Sequence, residues 1–405
     1  RGITYNAGLQ YKARFATGSL VSGIETTGDK LIDKKLGYPD YSRAVIENDS
    51  LVSIPHVGNR IIADQWMQTY GVFSQYDLKY RRTTFSLGAR IENYSVHNLL
   101  QNESGESTST TGLVFSPRVS LLVDLLSSLQ ARFSYSQGYR APQVFDEDLH
   151  IETSQSRKVI HRNDPQLEQE NSHSFITSLD YNSYIGNMQA GFLAESFFTR
   201  LENPFTNTFG DPDENGQVVY TRVNAEEGAT VRGINLELNL VPAAGLTFNA
   251  GYTLQTSLYD SPQEFDEKRF LRTPDDYGYF TLDWASRKKI GLTLTGNYTG
   301  SMLVPHFGPD PDDAGTEELE AIAKGDIIAG ERLVTSPRFL ELGWKVHYDI
   351  KLNGASMRIF GGMKNLLNAY QSDFDRGSFR DPGYIYGPNQ PRMIYLGLKV
   401  GNNLK

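Results

Sequence analysis

The sequence predicts an all-β chain, a transmembrane antiparallel β-barrel wall of about fifteen strands in these residues. Three observations predict it. Segments of about ten residues alternate apolar with polar, the length that crosses a bilayer when tilted. Short and long connections take turns along the chain. Aromatic residues recur just before the short ones.

The strands can be justified in order. Phe85, Leu87, Ala89 and Ile91 alternate with Ser86, Gly88, Arg90 and Glu92. Leu129, Ala131, Phe133 and Tyr135 alternate with Gln130, Arg132 and Ser134, and Ile234, Leu236, Leu238 and Leu240 with Asn235, Glu237 and Asn239. Ile290, Leu292 and Leu294 alternate with Gly291 and Thr293, and Ile394, Leu396, Leu398 and Val400 with Tyr395, Gly397 and Lys399. A period of two puts one set on each face of a strand. Lipid outside and a wet lumen inside produce this pattern, and so does a core on one side with water on the other.

The connections decide. Short turns fall near 15–18, 79–82, 124–128, 182–187, 241–245, 285–289 and 350–354. Long loops fall near 29–61, 99–112, 141–168, 206–217, 260–270, 305–331 and 371–388. Turns on one side and loops on the other are the membrane-barrel signature. Tyr80, Tyr181, Trp284 and Tyr348 each precede a short turn and share a face with Leu78, Leu179, Leu282 and Val346. Rings at one level form an interfacial girdle.

Composition narrows the function. The 405 residues contain no cysteine, so disulfides and thiolate metal sites are excluded. No apolar run reaches the length of a membrane helix. A net charge of -9 argues against a nucleic-acid surface. No Gly-x-Ser-x-Gly elbow, His-Glu-x-x-His or phosphate loop is present, so no catalytic set emerges and the chain reads as a non-enzyme.

Ser116–Leu121, followed by Ala131–Pro142 with its Tyr139-Arg140-Ala141-Pro142 ending, resembles the barrel of TonB-dependent outer-membrane receptors. Asn163–Glu170 (NDPQLEQE) resembles the family's "NPxLxPE" stretch, and Asn224–Glu237 (NAEEGATVRGINLE) one of its strands. Lys364–Asn368 and Tyr386–Arg392 resemble its last hairpin, and Tyr384–Pro388 is worded most like receptors of Bacteroidetes. The resemblance implies a twenty-two-stranded barrel around an N-terminal plug. Residues 1–405 then correspond to its C-terminal part, with the plug, the TonB-contacting segment and the first strands absent. The terminal Asn402–Lys405 departs from the aromatic ending common in such barrels. The implied function is active import of a scarce bulky nutrient (an iron–siderophore complex, haem, cobalamin or a glycan) across the outer membrane of a Gram-negative bacterium. The implied partners are outer-membrane lipid, the TonB–ExbB–ExbD complex and a surface lipoprotein. A passive porin or adhesin is the alternative.

Candidate site residues lie on the loop side. Pro142 stops its strand, and Arg140 is expected to pair with a carboxylate at the lumen wall. Tyr139 and Arg140 are the first ligand candidates. His150 and His161 lie between the two motifs, where haem receptors of this family carry a loop histidine, and an imidazole there can bind haem iron. His306 is a further loop candidate. Asp310, Asp312 and Asp313 are weak candidates for Ca²⁺, against a solvated acidic rim. Lumen arginines such as Arg90 and Arg132 are expected to offset the acidic loops for an anionic ligand.

Overall fold

The computed structural model describes residues 2–35, 44–47, 50–56, 58, 60–100, 107–142, 159–210, 218–286, 289–312, 314–352, 355–377, 379–381, 383–388 and 390–401. The first strands are β1 (Gly2–Phe15), β2 (Gly18–Lys35), β3 (Val45–Glu47), β4 (Ser50–Ser53), β5 (Arg60–Tyr80), β6 (Thr83–Leu100), β7 (Ser107–Leu126) and β8 (Leu129–Arg140). Then come β9 (Val159–Asn163), β10 (Glu170–Ile185), β11 (Met188–Glu202), β12 (Phe205–Phe209), β13 (Val218–Asn224), β14 (Ala229–Ala243) and β15 (Leu246–Tyr259). The rest are β16 (Asp276–Ala285), β17 (Ile290–Thr299), β18 (Leu303–Phe307), helix α1 (Thr316–Lys324), β19 (Glu331–Thr335), β20 (Phe339–Leu352), β21 (Ala355–Lys364) and β22 (Met393–Gly401).

Fifteen strands form one sheet in the order β1-β2-β5-β6-β7-β8-β10-β11-β14-β15-β16-β17-β20-β21-β22. Every neighbour pair in it is antiparallel, an up-and-down meander. The predicted short turns fall between strands, whereas the loops expected at 29–61 and 99–112 are shorter, since β2 runs on to Lys35 and β7 begins at Ser107. The sheet is an open wall with β1 and β22 at its edges, so it does not contain the twenty-two-stranded closure that the resemblance implies.

Register shows why the sequence alternates. Leu9 pairs with Ile24, Ile24 with Val72, Val72 with Ile91 and Ile91 with Phe115, one apolar row across five strands. All are 50–73% exposed, as a lipid-facing row must be. One residue on, the wall is polar. Arg90 sits between Glu25 (2.9 Å) and Glu92 (2.6 Å), so it is neutralised locally and is not the free counter-charge expected of it. Further round, Arg358 grips Asp349 through two bonds of 2.6 and 2.8 Å. Tyr80, Trp284 and Tyr348 are exposed at the turn side, as a girdle requires. Tyr181 is only half-exposed, flanked in register by Leu129 and Phe192.

Strand length varies around the wall. β2, β5, β6 and β7 run 18, 21, 18 and 20 residues, whereas β16, β17 and β21 run 10 each and β22 runs 9.

The loops are more ordered than the sequence suggested. β9 in the 141–168 stretch and β12 and β13 at the two ends of the 206–217 stretch form their own sheet, with β9 parallel to β13. The 305–331 stretch holds β18, α1 and β19. Backbone polar groups in so long a connection need partners, and small sheets supply them.

Candidate functional site

Two loop assemblies crown the wall. The first stands over β8 to β14. Tyr139 stacks on Tyr94 at 5.5 Å between ring centres, and the Tyr94 hydroxyl donates to Gln169 Oε1 at 3.0 Å. Tyr94, Val96, Val114 and Ala141 form a small buried apolar cluster beneath. Pro142 is buried as well, so the Tyr139–Pro142 stretch anchors the loop where it leaves the strand.

The next two motifs lock together. Asp164 Oδ1 accepts from Gln166 N at 2.7 Å and its carbonyl from Leu167 N at 3.0 Å, a tight turn that buries Leu167. Asn224 then joins the strands: its Oδ1 accepts from Glu168 N, and its Nδ2 donates to the carbonyls of Glu168 and Asn203. Phe205 N donates to Glu170 Oε2 at 3.0 Å, which holds the Phe205 ring at the centre of the assembly.

Two guanidiniums meet that ring. Arg140 lies 5.2 Å from its centre and Arg222 lies 6.0 Å from it. Arg222 is 7% exposed, and burial first, then the Arg140 charge, push its pKa down to about 10. Asn163 stands directly across from Arg222 in the β9–β13 register. Its Nδ2 is buried and has no acceptor. Among the described residues no carboxylate forms an ion pair with Arg140, contrary to expectation. Glu170 is its cross-strand partner, but that carboxylate is turned to the Phe205 amide.

The second assembly joins the β17–β20 and β21–β22 connections, and it is built on carboxylates. His306 is fully buried, with Nε2 at 2.8 Å from Asp375 Oδ2 and its ring edge-on to Tyr384 at 4.7 Å. Asp375 also accepts from Asp381 N (3.0 Å) and Ile328 N (3.3 Å). Asp381 accepts from Phe307 N and Gly383 N, at 2.9 and 2.8 Å. Burial still raises the Asp381 pKa above the usual carboxylate range. Asp373 takes the hydroxyls of Tyr384 (2.8 Å) and Tyr386 (2.5 Å). Burial and that carboxylate raise both phenols. Arg272, from the β15–β16 connection, donates to the carbonyls of Gly383 and Ile385. Asn365, buried with a left-handed backbone, clasps both arms of the last loop through Ala369 and Gln390.

The two assemblies touch. Tyr220 of β13 meets Phe307 of β18 at 5.6 Å between ring centres.

The expected site residues therefore separate. Tyr139 and Arg140 belong to the first assembly. His161 lies in β9 with its backbone across from Tyr220. His306 is sealed in the second assembly, where a ligand reaches it only if the loops part. His150 and Asp313 lie outside the described residues. Asp310 and Asp312 are exposed and form a local turn, Asp312 N donating to Asp310 Oδ1 at 3.0 Å. Among the described residues no three or more His, Asp or Glu side chains converge to hold a metal. Part of the acidic run serves the helix: Glu317 and Glu318 sit in the first turn of α1, and Glu318 accepts from Gly315 N at 2.9 Å. Sequence reasoning missed Arg222, Asn163 and Phe205. The only signal was the alternation in β13, which puts Tyr220 and Arg222 on one face.

Residues 2–389 match the family model "TonB dependent receptor-like, beta-barrel". Among solved structures the chain resembles the copper transporter OprC, with 13% identity, TM-score 0.65 and coverage of 98% of this chain and 56% of that one. It resembles the siderophore receptor PiuA of Acinetobacter baumannii at 12% identity and TM-score 0.65, covering 99% and 56%. It resembles the FrpB iron transporter of Neisseria meningitidis at 13% and 0.59, covering 98% and 54%. The chain thus spans about half the length of these structures, which at such identity share its fold. No curated protein sequence matches it.

Proposed function

The chain belongs to the TonB-dependent receptors, a family of transporter receptors and not of enzymes, and from that premise we propose that it is the ligand-gathering wall and mouth of an outer-membrane importer. One observation carries this reading. An exposed apolar row runs across five strands with Glu25, Arg90 and Glu92 on the opposite face, and among the described residues the ordered loop assemblies stand at the end away from the short turns. Such a wall suits lipid outside and solvent inside. The ligand is a small, bulky molecule that diffusion through narrow pores does not supply, with an iron chelate the first candidate, since the resembling structures include an iron transporter and a siderophore receptor. Energy reaches it through a plug domain and the TonB–ExbB–ExbD complex. A surface lipoprotein sits as an accessory over the mouth, and haem held by His150 or His161 is the second ligand class.

The test is growth of a strain carrying the full-length receptor on a limiting nutrient, with and without TonB. Growth lost without TonB supports active import. Growth that persists, together with a large steady conductance of the purified protein in planar bilayers, assigns a passive pore instead.

A further inference from the structure

We propose that the outer leaflet of the membrane is thinned along the β14–β20 arc, where lipid headgroups are drawn down onto a ledge of two tyrosines and a carboxylate at Asp276. This goes beyond the importer reading, since it concerns the surrounding lipid and not what is carried.

The outer faces of the two arcs differ in where charge begins. On β16 the outward row runs from Trp284 through Leu282 to Asp276, opposite Leu246, Phe248 and Leu254 of β15. Asp276 is only eight residues from Trp284, the turn-side ring. At about 3.3 Å per residue and a tilt near 45°, that is a height of about 19 Å. Arg232, on the same face of β14 as Ile234, is exposed one outward step further on. On β5 the outward row starts at Tyr80 and passes Val72, Tyr70 and Trp66 before it meets charge at Asp64. Asp64 pairs with Lys30 at 3.9 Å. It lies sixteen residues from Tyr80, a height of about 37 Å. The row between is uncharged, and Gln68 within it is buried.

A barrel's apolar band is about 25 Å tall. The β5 face has room for it, and the β16 face falls about 6 Å short. Charged side chains seldom face hydrocarbon, because leaving water is costly. A wall shorter than the hydrocarbon is met by local thinning of the bilayer.

The second observation is that the ledge is built. Tyr252 donates its hydroxyl to Asp276 Oδ2 at 2.6 Å. Tyr298 stacks on Tyr252 at 6.3 Å between ring centres and brings a second hydroxyl to the same carboxylate. Arg338, exposed just before β20, lies close to both phenols. Gly278 stands opposite Tyr252, and Gly300 donates its amide to the Asp276 carbonyl. A Cβ on either glycine would collide with the Tyr252 ring or the Asp276 carboxylate, so both side chains lie flat on the wall. Rings with a polar tip suit the headgroup level. The apolar face below them, with Trp284 and Leu254 exposed, continues the lipid-facing wall, so lipid is what covers it.

The test reconstitutes the full-length receptor in dioleoylphosphatidylcholine bilayers with a nitroxide on one introduced cysteine at a time. These 405 residues contain no cysteine of their own. The ratio of oxygen collisions to collisions with a water-soluble nickel chelate reads depth. Val72→Cys and Leu254→Cys are matched, the first eight residues above Tyr80 and the second opposite Asp276. The ratio at Leu254 is expected to be lower by about threefold or more. Leu78→Cys and Leu282→Cys, each one outward step above its turn-side ring, should agree. Asp276→Leu should raise the Leu254 ratio toward that of Val72. Equal ratios at Val72 and Leu254 overturn the proposal. So does a matching difference between Leu78 and Leu282, which means that the whole barrel tilts. A Leu254 ratio untouched by Asp276→Leu overturns it as well, since the carboxylate then does not set the boundary. Nickel contact at all four labels removes the lipid-facing wall itself, and this proposal with it.

Discussion

The two loop assemblies are built on opposite principles. Around His306 both buried carboxylates accept more than one donor, Asp375 three and Asp381 two, and the exposed Asp373 takes two hydroxyls. Around Phe205 two guanidiniums meet the ring, the exposed Arg140 and the buried Arg222, while the Glu170 carboxylate takes the Phe205 amide. Both assemblies bury an ionisable group, and burial pushes each toward neutrality: Asp381 upward, Arg222 downward. The second cause after burial differs. For Asp381 two backbone N–H groups oppose the shift, and for Arg222 the nearby Arg140 charge adds to it. Each assembly nonetheless leaves one buried side-chain nitrogen without a partner, His306 Nδ1 in the hub and Asn163 Nδ2 beside Arg222. The contrast is therefore one of sign, carboxylates tied by backbone donors in one assembly and guanidiniums laid against a ring in the other.

The comparison can be broken by mutation. The largest effect is expected from Asp375→Ala. It leaves His306 Nε2 and two backbone N–H groups buried without acceptors, which costs about 3–5 kcal/mol of local stability. Hydrogen exchange should speed up at least a hundredfold in β18 and in 326–330, with β5 and β6 unchanged. Equal protection in the variant makes the hub dispensable. Asn365→Ala comes next, at about 2–3 kcal/mol. It removes bonds to both arms of the last loop and puts alanine in a left-handed conformation. Limited proteolysis in 369–392 reads it out.

Acidity sharpens the same contrast. Asp381 has a folded-state pKa above its unfolded one. Between the two values the folded state binds more protons, so hub stability falls as pH rises through that window and is greatest below it. Exchange at the Phe307 and Gly383 amides should therefore be slower at the acidic end of the window than above it. The reverse trend means that the two backbone donors, and not burial, govern this carboxyl. Smallest is Arg140→Gln, which should change thermal stability by less than about 0.5 kcal/mol. A large loss there makes Arg140 structural and removes the asymmetry between the assemblies.

How much of this was legible in the sequence follows from range. The wall was legible because its rule is local: a period of two, broken by turn residues, fixes faces and order. Leu9, Ile24, Val72, Ile91 and Phe115 could each be placed on an outer face without knowing that they form one row. The motifs were legible as resemblance but not in role. Asn224 is a clasp because Glu168 and Asn203 arrive beside it from earlier loops, and Asn365 because Gln390 returns to it. Arg140 was expected to find a carboxylate because buried or walled arginines usually do. It meets Phe205 instead, from a strand more than sixty residues on. His306 was read as a loop histidine, and in chain order it is one. Its sealing depends on Asp375, Asp381 and Tyr384, all in another loop.

The unequal strands have a further consequence. Ten or so extra residues, at about 3.3 Å of rise and a tilt near 45°, lift the β2–β7 arc about 23 Å above the β16–β22 arc. The mouth is then a scoop with a tall back and a low lip. The lip lies beside the hub of Asp375, and the Arg140–Phe205–Arg222 cluster sits between lip and back. A molecule drifting along the cell surface from the low side therefore meets the loops of the His306 hub first and those around Phe205 behind them.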